Sequence, residues 1–385
     1  MSTAKRKVRA FALACIPALQ ACAPAATAPA PTAMPVAAPV TAPVTAPVAI
    51  FPAASWETIP DAQLGAACRR DLDATRAYLG TLSTTAMLAV QDGRALFSYG
   101  PTDASGNVFS IRKSILAMLY GNEVAQGRID LTRTLSQLGL DDIGGLLPRE
   151  REAQLQHLLS ARSGVYHRAA NGGDDAGAAP ARGSQAPGSY FLYNNWDFNA
   201  AGSAFEQLSG RSVYRAFAED LAAPLQLEDF DPARQRLGGD SKRSRHPAYH
   251  FSLSTRDMAR LGYLMLKHGN WHGRQLIPAP WLATITAPVT KAAAMHPPHT
   301  ARRGLDYGYL WWVMDEPAGS ALHGAYMAWG VYGQYILVIP ERNMVLAHRR
   351  HVAPGAAAGL RWVQLDEFLH AARLLAAAPC PRGGE

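Results

Sequence analysis

Lysine is scarce in this chain, with 6 against 31 arginines in 385 residues. A lysine set beside an apolar run therefore asks for a reason, and Lys113 is such a lysine. Cysteine is also scarce, with four. Cys15 and Cys22 lie near the start, which leaves Cys68 and Cys380 bracketing the rest. In an oxidising compartment these two would pair; otherwise they are two partly buried thiols, and the sequence leaves both readings open. No apolar run is long enough to cross a bilayer as a helix. No serine has glycine two positions away on both sides, which removes the nucleophile elbow of an α/β-hydrolase. The histidine pairs His246/His250 and His268/His272 are interrupted by Pro247 and Gly269. A zinc site is therefore not expected, nor is any other cofactor, and His246 reads as a structural residue of its loop. Acidic partners are not implied either. Of the formal charge of +7, four positives are Lys5, Arg6, Lys7 and Arg9, and removing them leaves +3. Nucleic-acid binding is dropped on that ground.

Those four charges open a leader. "MSTAKRKVR" is a basic stretch, "AFALACIPAL" a short apolar one, and "LQAC" ends at Cys22. The pattern predicts a secretion signal over residues 1–21. Its ending resembles a bacterial lipobox, in which the cysteine is lipidated and becomes the mature N-terminus, although Gln20 is unusual there. The expected location is the periplasmic side of a bacterial envelope, with the membrane as a partner through a lipid on Cys22. Residues 22–55 are almost entirely Ala, Pro, Thr and Val. Proline removes donors and fixes φ, so this stretch predicts an extended, semi-rigid tether.

One domain is expected over 56–385. Residues 61–81 read as a helix, and "TTAMLAVQDGRALFSYG" as two strands about an Asp92-Gly93 turn. An apolar helix follows Ser110, with Ile111, Ile115 and Leu119 on one face. "REAQLQHLLSARSG" reads as a helix closed by Gly164, residues 169–189 as a long functional loop, and "YFLYNN" as a short strand. "WDFNAAGSAFEQLSG" and "STRDMARLGYLMLKHG" read as helices, the second capped by Ser254 or Thr255. "YGYLWWVM", "YGQYILVIP" and "NMVLAHRR" read as antiparallel strands, and a helix ends the chain. Strands at both ends with helices between them predict an α/β fold of the α+β type, an antiparallel sheet flanked by helices with an inserted all-α block.

Ser110 and Lys113 carry the chemistry. Residues three apart share a helix face. A serine hydroxyl becomes a useful nucleophile when a neighbour takes its proton, and a lysine can do so in its neutral form. A hydroxyl at the first turn also lies near unpaired backbone N–H groups able to hold an oxyanion. Alone the pattern is weak, since Ser2-x-x-Lys5 repeats it in the leader. "LYNN" strengthens it: if that stretch is extended, Tyr193 and Asn195 share one face. A tyrosine beside a lysine can shuttle protons, and an asparagine can bridge an ammonium and a substrate amide. Tyr120-x-Asn122, on the serine helix, reads as packing.

Ser110-x-x-Lys113, then Tyr193-x-Asn195 some eighty residues on, then a Gly-rich strand before "VIPERNMVLAH", resembles the serine β-lactamase and penicillin-binding-protein superfamily, in its class C and esterase branch. The resemblance runs from Asp61 to the last helix. It implies a β-lactamase/transpeptidase-like fold with the site between sheet and helical block. It also implies Ser110 as nucleophile, Lys113 and Tyr193 as the proton-transfer pair, and Asn195 as their orienter. In the resembled fold the first and last helices pack on the same sheet, which implies a Cys68–Cys380 disulfide. The family's Lys-Thr-Gly or His-x-Gly strand falls here on Ala328-Trp329-Gly330, with Val331 next, as substrate and oxyanion positions. No cation stands at Ala328, so small neutral esters are expected to outrun penicillins, with Arg302 or Arg303 the first residues to examine should they not. The expected substrate is a small or peptide-like ester or amide. A β-lactamase, a D-Ala-directed peptidase and a non-hydrolytic receptor are the alternatives.

Overall fold

A pair of apolar strands joined by the tightest of turns starts the sheet. Strands β1 (Ala86–Gln91) and β2 (Arg94–Tyr99) meet at Asp92 (φ 50°) and Gly93 (φ 84°). Two positive φ values in succession match the right-handed twist of the flanking strands, and Asp-Gly adopts them at little cost. A computed structural model of the protein describes residues 49–173, 175–353 and 361–382. The expected signal over 1–21, Cys22 and the tether up to residue 48 lie outside the described residues.

Five more strands complete an antiparallel sheet: β3 (Leu305–Tyr307), β4 (Trp312–Met314), β5 (Tyr326–Gly330), β6 (Gln334–Ile339) and β7 (Met344–Arg349). Their order is β3-β4-β5-β6-β7-β1-β2, so the first hairpin joins the last strand, with Ala86 opposite Arg349. "YGYLWWVM" was expected as one strand. It is two, β3 and β4, because the chain reverses through Leu310 (φ 60°) and pairs Tyr307 with Trp312.

Strands β1, β6 and β7 are buried along their whole length, which explains their continuous apolar runs. Helix α1 (Ala66–Gly80) lies against the last helix, α5 (Leu365–Ala377), where Tyr78 donates to Glu367 O. Tyr335 of β6 stacks on Phe368 of α5 at 4.2 Å. The opposite face of β6 meets helix α4 (Thr255–Leu266), capped by Ser254. A Cβ built at Gly262 of α4 falls 2.5 Å from Val345 and 2.7 Å from Ile336, so only glycine lets the helix sit this close. Cys68 and Cys380 form a disulfide across 312 residues, fastening the start of α1 to the chain just beyond α5.

Between β2 and α4 come helix α2 (Ile111–Ala125), helix α3 (Asn195–Ser209) and shorter helical pieces. Helix α2 is buried almost all round. Ser114 donates to Leu310 O, Trp281 to Ala117 O, and the buried Tyr120 to Ala201 O of α3. The helix expected to end at Gly164 is confined to Leu155–Leu159, because the chain turns at Ala161 (φ 57°), whose carbonyl then accepts from Leu192 N. The domain also starts earlier than residue 56. Tyr263 Oη donates to Ile50 O, Arg260 donates to Ala53 O and Ala54 O, and Phe51 packs on Trp271. Among the described residues no helix is long and apolar enough to cross a membrane.

His348, one residue from the end of β7, is fully buried, with Nδ1–H donating to Gly333 O and Nε2 accepting from Thr84. Burial pushes its pKa down to about 4, against a smaller pull upward from the Gly333 carbonyl. A depressed histidine pKa adds stability above the unfolded value of about 6.5, and that stability is lost as pH falls towards 4. The expected loss at pH 4 is about 3 kcal/mol. Urea midpoints at pH 7.5 and 4 should diverge less in His348→Gln than in the wild type; an equal pH dependence in both would contradict this account.

Candidate active site

The chain enters α2 through a strained residue. Asn107 pairs with Ser252, Val108 N bonds to Phe251 O, and Phe109 N donates to the Asn107 side chain. Phe109 then takes φ 49°, a left-handed conformation costly for a bulky side chain. That turn puts Ser110 at the N-cap of α2 already in helical conformation. An N-cap serine ordinarily accepts from a backbone N–H one turn on. Ser110 makes no such bond. Its Oγ accepts instead from Lys113 Nζ at 2.8 Å.

Lys113 is 2% exposed. Its Nζ also donates to Tyr193 Oη at 2.7 Å and lies over the Tyr193 and Phe198 rings at 4.2 and 4.6 Å. Tyr193 follows the two-residue strand Phe191–Leu192, and its ring stacks on Trp312 at 5.5 Å. Ser110, Lys113 and Tyr193 thus form one hydrogen-bonded chain drawn from α2 and the approach to α3. Asn195 sits differently. The paired strand ends at Leu192, Asn194 caps α3 in an extended conformation, and Asn195 is that helix's first residue, so Tyr193 and Asn195 do not belong to one strand. Asn195 Nδ2 donates to Gly172 O at 2.5 Å, and its buried Oδ1 has no hydrogen-bond partner among the described residues.

Strand β5 brings its end against the serine. A Cβ built at Gly330 would fall 2.3 Å from Val108 O and 3.2 Å from Ser110 N, so glycine alone permits the approach. The side chains of β5 alternate. Trp329 and, just past the strand, Val331 line the cavity that holds Ser110 and Tyr193, whereas Ala328 is fully buried away from it. The Ala328 side chain therefore does not line this cavity: the pleat turns it inward. The cavity has a volume of about 520 Å³. Trp312, Trp329, Tyr332 and Trp362 make much of its wall, and Arg302, Arg303 and Asp366 are its charged members. Tyr332 and Trp362 carried no signal in the sequence. They reach the cavity through the β5–β6 turn and the approach to α5.

Burial shapes the surroundings. His250 is pushed down to about 4 by burial, then by Arg112, Arg236 and Lys113, and is neutral at physiological pH. Asp197 is raised well above the carboxylate range by burial, with Ser163 and Asn194 pulling the other way. It accepts from Ser163 Oγ and so ties the helical block to the first turn of α3. His246 is buried against Trp196 and lies away from the cavity.

Solved structures share this architecture. A Bacillus anthracis protein assigned as a 6-aminohexanoate-dimer hydrolase is 19% identical, with a TM-score of 0.58 over 86% of this chain and 90% of that one. A penicillin-binding-protein homologue from Caulobacter crescentus is 18% identical, with a TM-score of 0.57 over 83% and 98%. A family VIII carboxylesterase is 13% identical, with a TM-score of 0.57 over 84% and 98%. At these identities the likeness is one of fold. An uncharacterised protein of Alkalihalophilus pseudofirmus is 28% identical over 99 residues, which is 24% of this chain and 28% of that relative's length. Residues 76–354 match the family described as Beta-lactamase. As that match takes in well over half of its length, the chain belongs to the β-lactamase family.

Proposed function

We propose that this protein is a serine hydrolase that cleaves a small ester or amide through an acyl-enzyme on Ser110. The observation that carries the reading is the Ser110 hydroxyl, withheld from capping and bonded to a buried lysine that also holds Tyr193. To take a proton a lysine must be neutral, a form that burial favours. Ser110 Oγ attacks the carbonyl carbon while its proton passes to the Lys113–Tyr193 pair. The oxyanion is held by backbone N–H groups of Ser110 and Val331, a role that the close approach of Gly330 to Ser110 N supports. The tetrahedral species collapses, the C–O or C–N bond breaks, and the leaving group takes the proton from Tyr193. Water then attacks the acyl-enzyme, gives its proton to the same pair and releases the acid and free serine. Asn195 Nδ2 is held by Gly172 O, which leaves Oδ1 for the lysine or for a substrate N–H. The hydrolase and esterase names of the fold neighbours support this class of reaction.

Intact mass after exposure to a fluorophosphonate tests the reading: one adduct, mapped to Ser110, is expected. Steady turnover of a p-nitrophenyl ester distinguishes an enzyme from a receptor, which would give at most one equivalent of product. A second expectation concerns place. The leader and Cys22 support an envelope lipoprotein, in which more than one acyl chain gives stable anchoring. Cys22→Ala should move the protein from the membrane fraction to the soluble fraction; persistence with membranes would remove the lipid anchor from the account.

A further inference from the structure

The residue before the lysine is itself a buried cation. Arg112 is 2% exposed, and among the described residues it meets no carboxylate. Arginines nearer the surface do: Arg211 pairs with Glu123, Glu219 and Asp220, and Arg256 with Glu228 and Asp229. Arg112 Nη2 donates to Asn199 Oδ1 at 2.7 Å, and the guanidinium lies over the Tyr249 ring at 4.5 Å. Its buried Nη1 has no hydrogen-bond partner among the described residues. A buried charge without an opposite charge is costly, and a guanidinium does not shed its proton to escape the cost. Lys113 Nζ lies 4.6 Å from the centre of the Phe198 ring, and Phe198 is the neighbour of Asn199 on α3. Tyr249 Oη, beneath Arg112, donates to Phe198 O. The two cationic heads therefore rest on the same turn of α3.

We propose that Arg112 is a positioning residue for the reaction, a permanent buried charge that keeps Lys113 in its neutral, proton-accepting form; the assignment rests on the acyl-serine reading of the site. The groups around the lysine leave that field uncancelled. On α3, burial raises Asp197 well above the carboxylate range and so holds it neutral, against Ser163 and Asn194. The short strands Arg236–Gly238 and Ala248–His250 bring Arg236, a further cation, and His250. His250 is neutral, and it feels Arg112, Arg236 and Lys113 together. Tyr249 is pushed up to about 12 by burial, with Arg112 pulling down, and Tyr307 of β3 is raised well above its usual range by burial. Both are neutral. Glu206, farther along α3, faces Tyr249 and is engaged by Val213 N. Across the cavity Arg302 and Arg303 outnumber Asp366. Lys113 also lies in the first turn of α2, where the helix dipole disfavours a cation. An arginine suits the role because a second buried lysine would lose its own proton and with it the field.

The test reads the lysine directly. The chain has 6 lysines, so protein carrying a carbon isotope label at lysine Cε gives few magnetic-resonance signals, and the one missing from Lys113→Met is Lys113. At an effective dielectric of about 20, a unit charge roughly 8 Å away moves a neighbouring titration by about 1–2 pH units. In Arg112→Met, which keeps most of the bulk and drops the charge, Lys113 is expected to titrate higher than in the wild type by about that much; Arg112→Gln gives the same reading should the Met variant not fold. Asn199→Ala removes the tether and leaves the guanidinium over Tyr249, so its Lys113 should stay within about half a unit of the wild type. The pH at which fluorophosphonate labelling reaches half its maximal rate should rise with the lysine in Arg112→Met. Labelling at pH 7 then falls about 10- to 100-fold and recovers at higher pH. An unmoved lysine in the folded Arg112 variants, or an equal shift in Asn199→Ala, would overturn the role, the second result making Arg112 a strut for α3. The lysine titration needs no turnover, so the two readings separate. A labelled Ser110 with an unmoved lysine defeats the role of Arg112 alone, and a shifted lysine with no labelling of the wild type defeats the acyl-serine reading.

Discussion

Replacing Ser110 by alanine is expected to abolish fluorophosphonate labelling and to lower ester turnover by about four orders of magnitude or more, as removal of a nucleophile does elsewhere. Lys113→Ala should cost on the order of 10²–10⁴, the usual worth of general-base catalysis. Lys113→Arg should not recover it, because a guanidinium stays protonated. Tyr193→Phe should slow turnover and leave the fold intact, since the ring keeps its stack on Trp312 and loses only the hydroxyl bonded to Lys113. Ser110→Ala combined with Lys113→Ala should be little worse than Ser110→Ala alone, because groups that act as one unit are not additive. A competing account makes Lys113 a packing residue whose loss damages the helix rather than the chemistry. Lys113→Met separates the two. It keeps the bulk between the Tyr193 and Phe198 rings and removes the amine. A folded Lys113→Met protein with near-wild-type ester turnover would sink the mechanism and leave Lys113 a filler of space.

Removing the disulfide is the change expected to cost most in stability. Cys68 and Cys380 close a loop of 312 residues, almost the whole domain. In the chain-entropy picture such a closure is worth about 5 kcal/mol, because it restrains the unfolded chain. For a domain of this size that corresponds to a fall in the unfolding midpoint of roughly 5–10 °C. The ends it joins are also held by packing: Tyr78 touches α5 through Glu367 O and the His370 ring, and Phe368 of α5 stacks on Tyr335. Cys68→Ser with Cys380→Ser, compared with the wild type before and after reduction, should show the same drop in both arms. Ester turnover at low temperature should be unaffected, because neither cysteine lines the serine cavity. An unchanged midpoint in the double variant would show that helix packing alone holds the termini.

The Ser110–Lys113 pair was legible because it is local. Three residues along a helix is a fixed distance, and the 2.8 Å contact follows from that spacing once α2 forms. The Asp92-Gly93 turn was legible for the same reason, since its two φ values belong to the residues themselves. The end of the Leu155–Leu159 helix was not. Nothing in "LLSARSG" demands a left-handed Ala161; the partner that uses it, Leu192 N, is some thirty residues on. Nor was the inward side of Ala328 legible, because the face an alternating strand presents is set by what packs on it, here the start of α2.

By itself, then, the sequence determined short-range features: the first hairpin and the helices after Ser110 and Ser254, the capped start of α4, the serine and lysine on one helical turn, and the motif spacing that pointed to the family. The tertiary structure decided whatever depends on distant pieces meeting. It set β1 beside β7, so that the ends of the domain share a sheet and Cys68 reaches Cys380. It put the Tyr193 hydroxyl on the Lys113 amine from eighty residues away. It also carried Arg303 over Trp329, giving the cavity a cation that its own strand lacks. Helix and turn geometry is written in neighbouring residues, whereas a cavity is the space left where separate elements pack, and no local pattern records which side chains will border it.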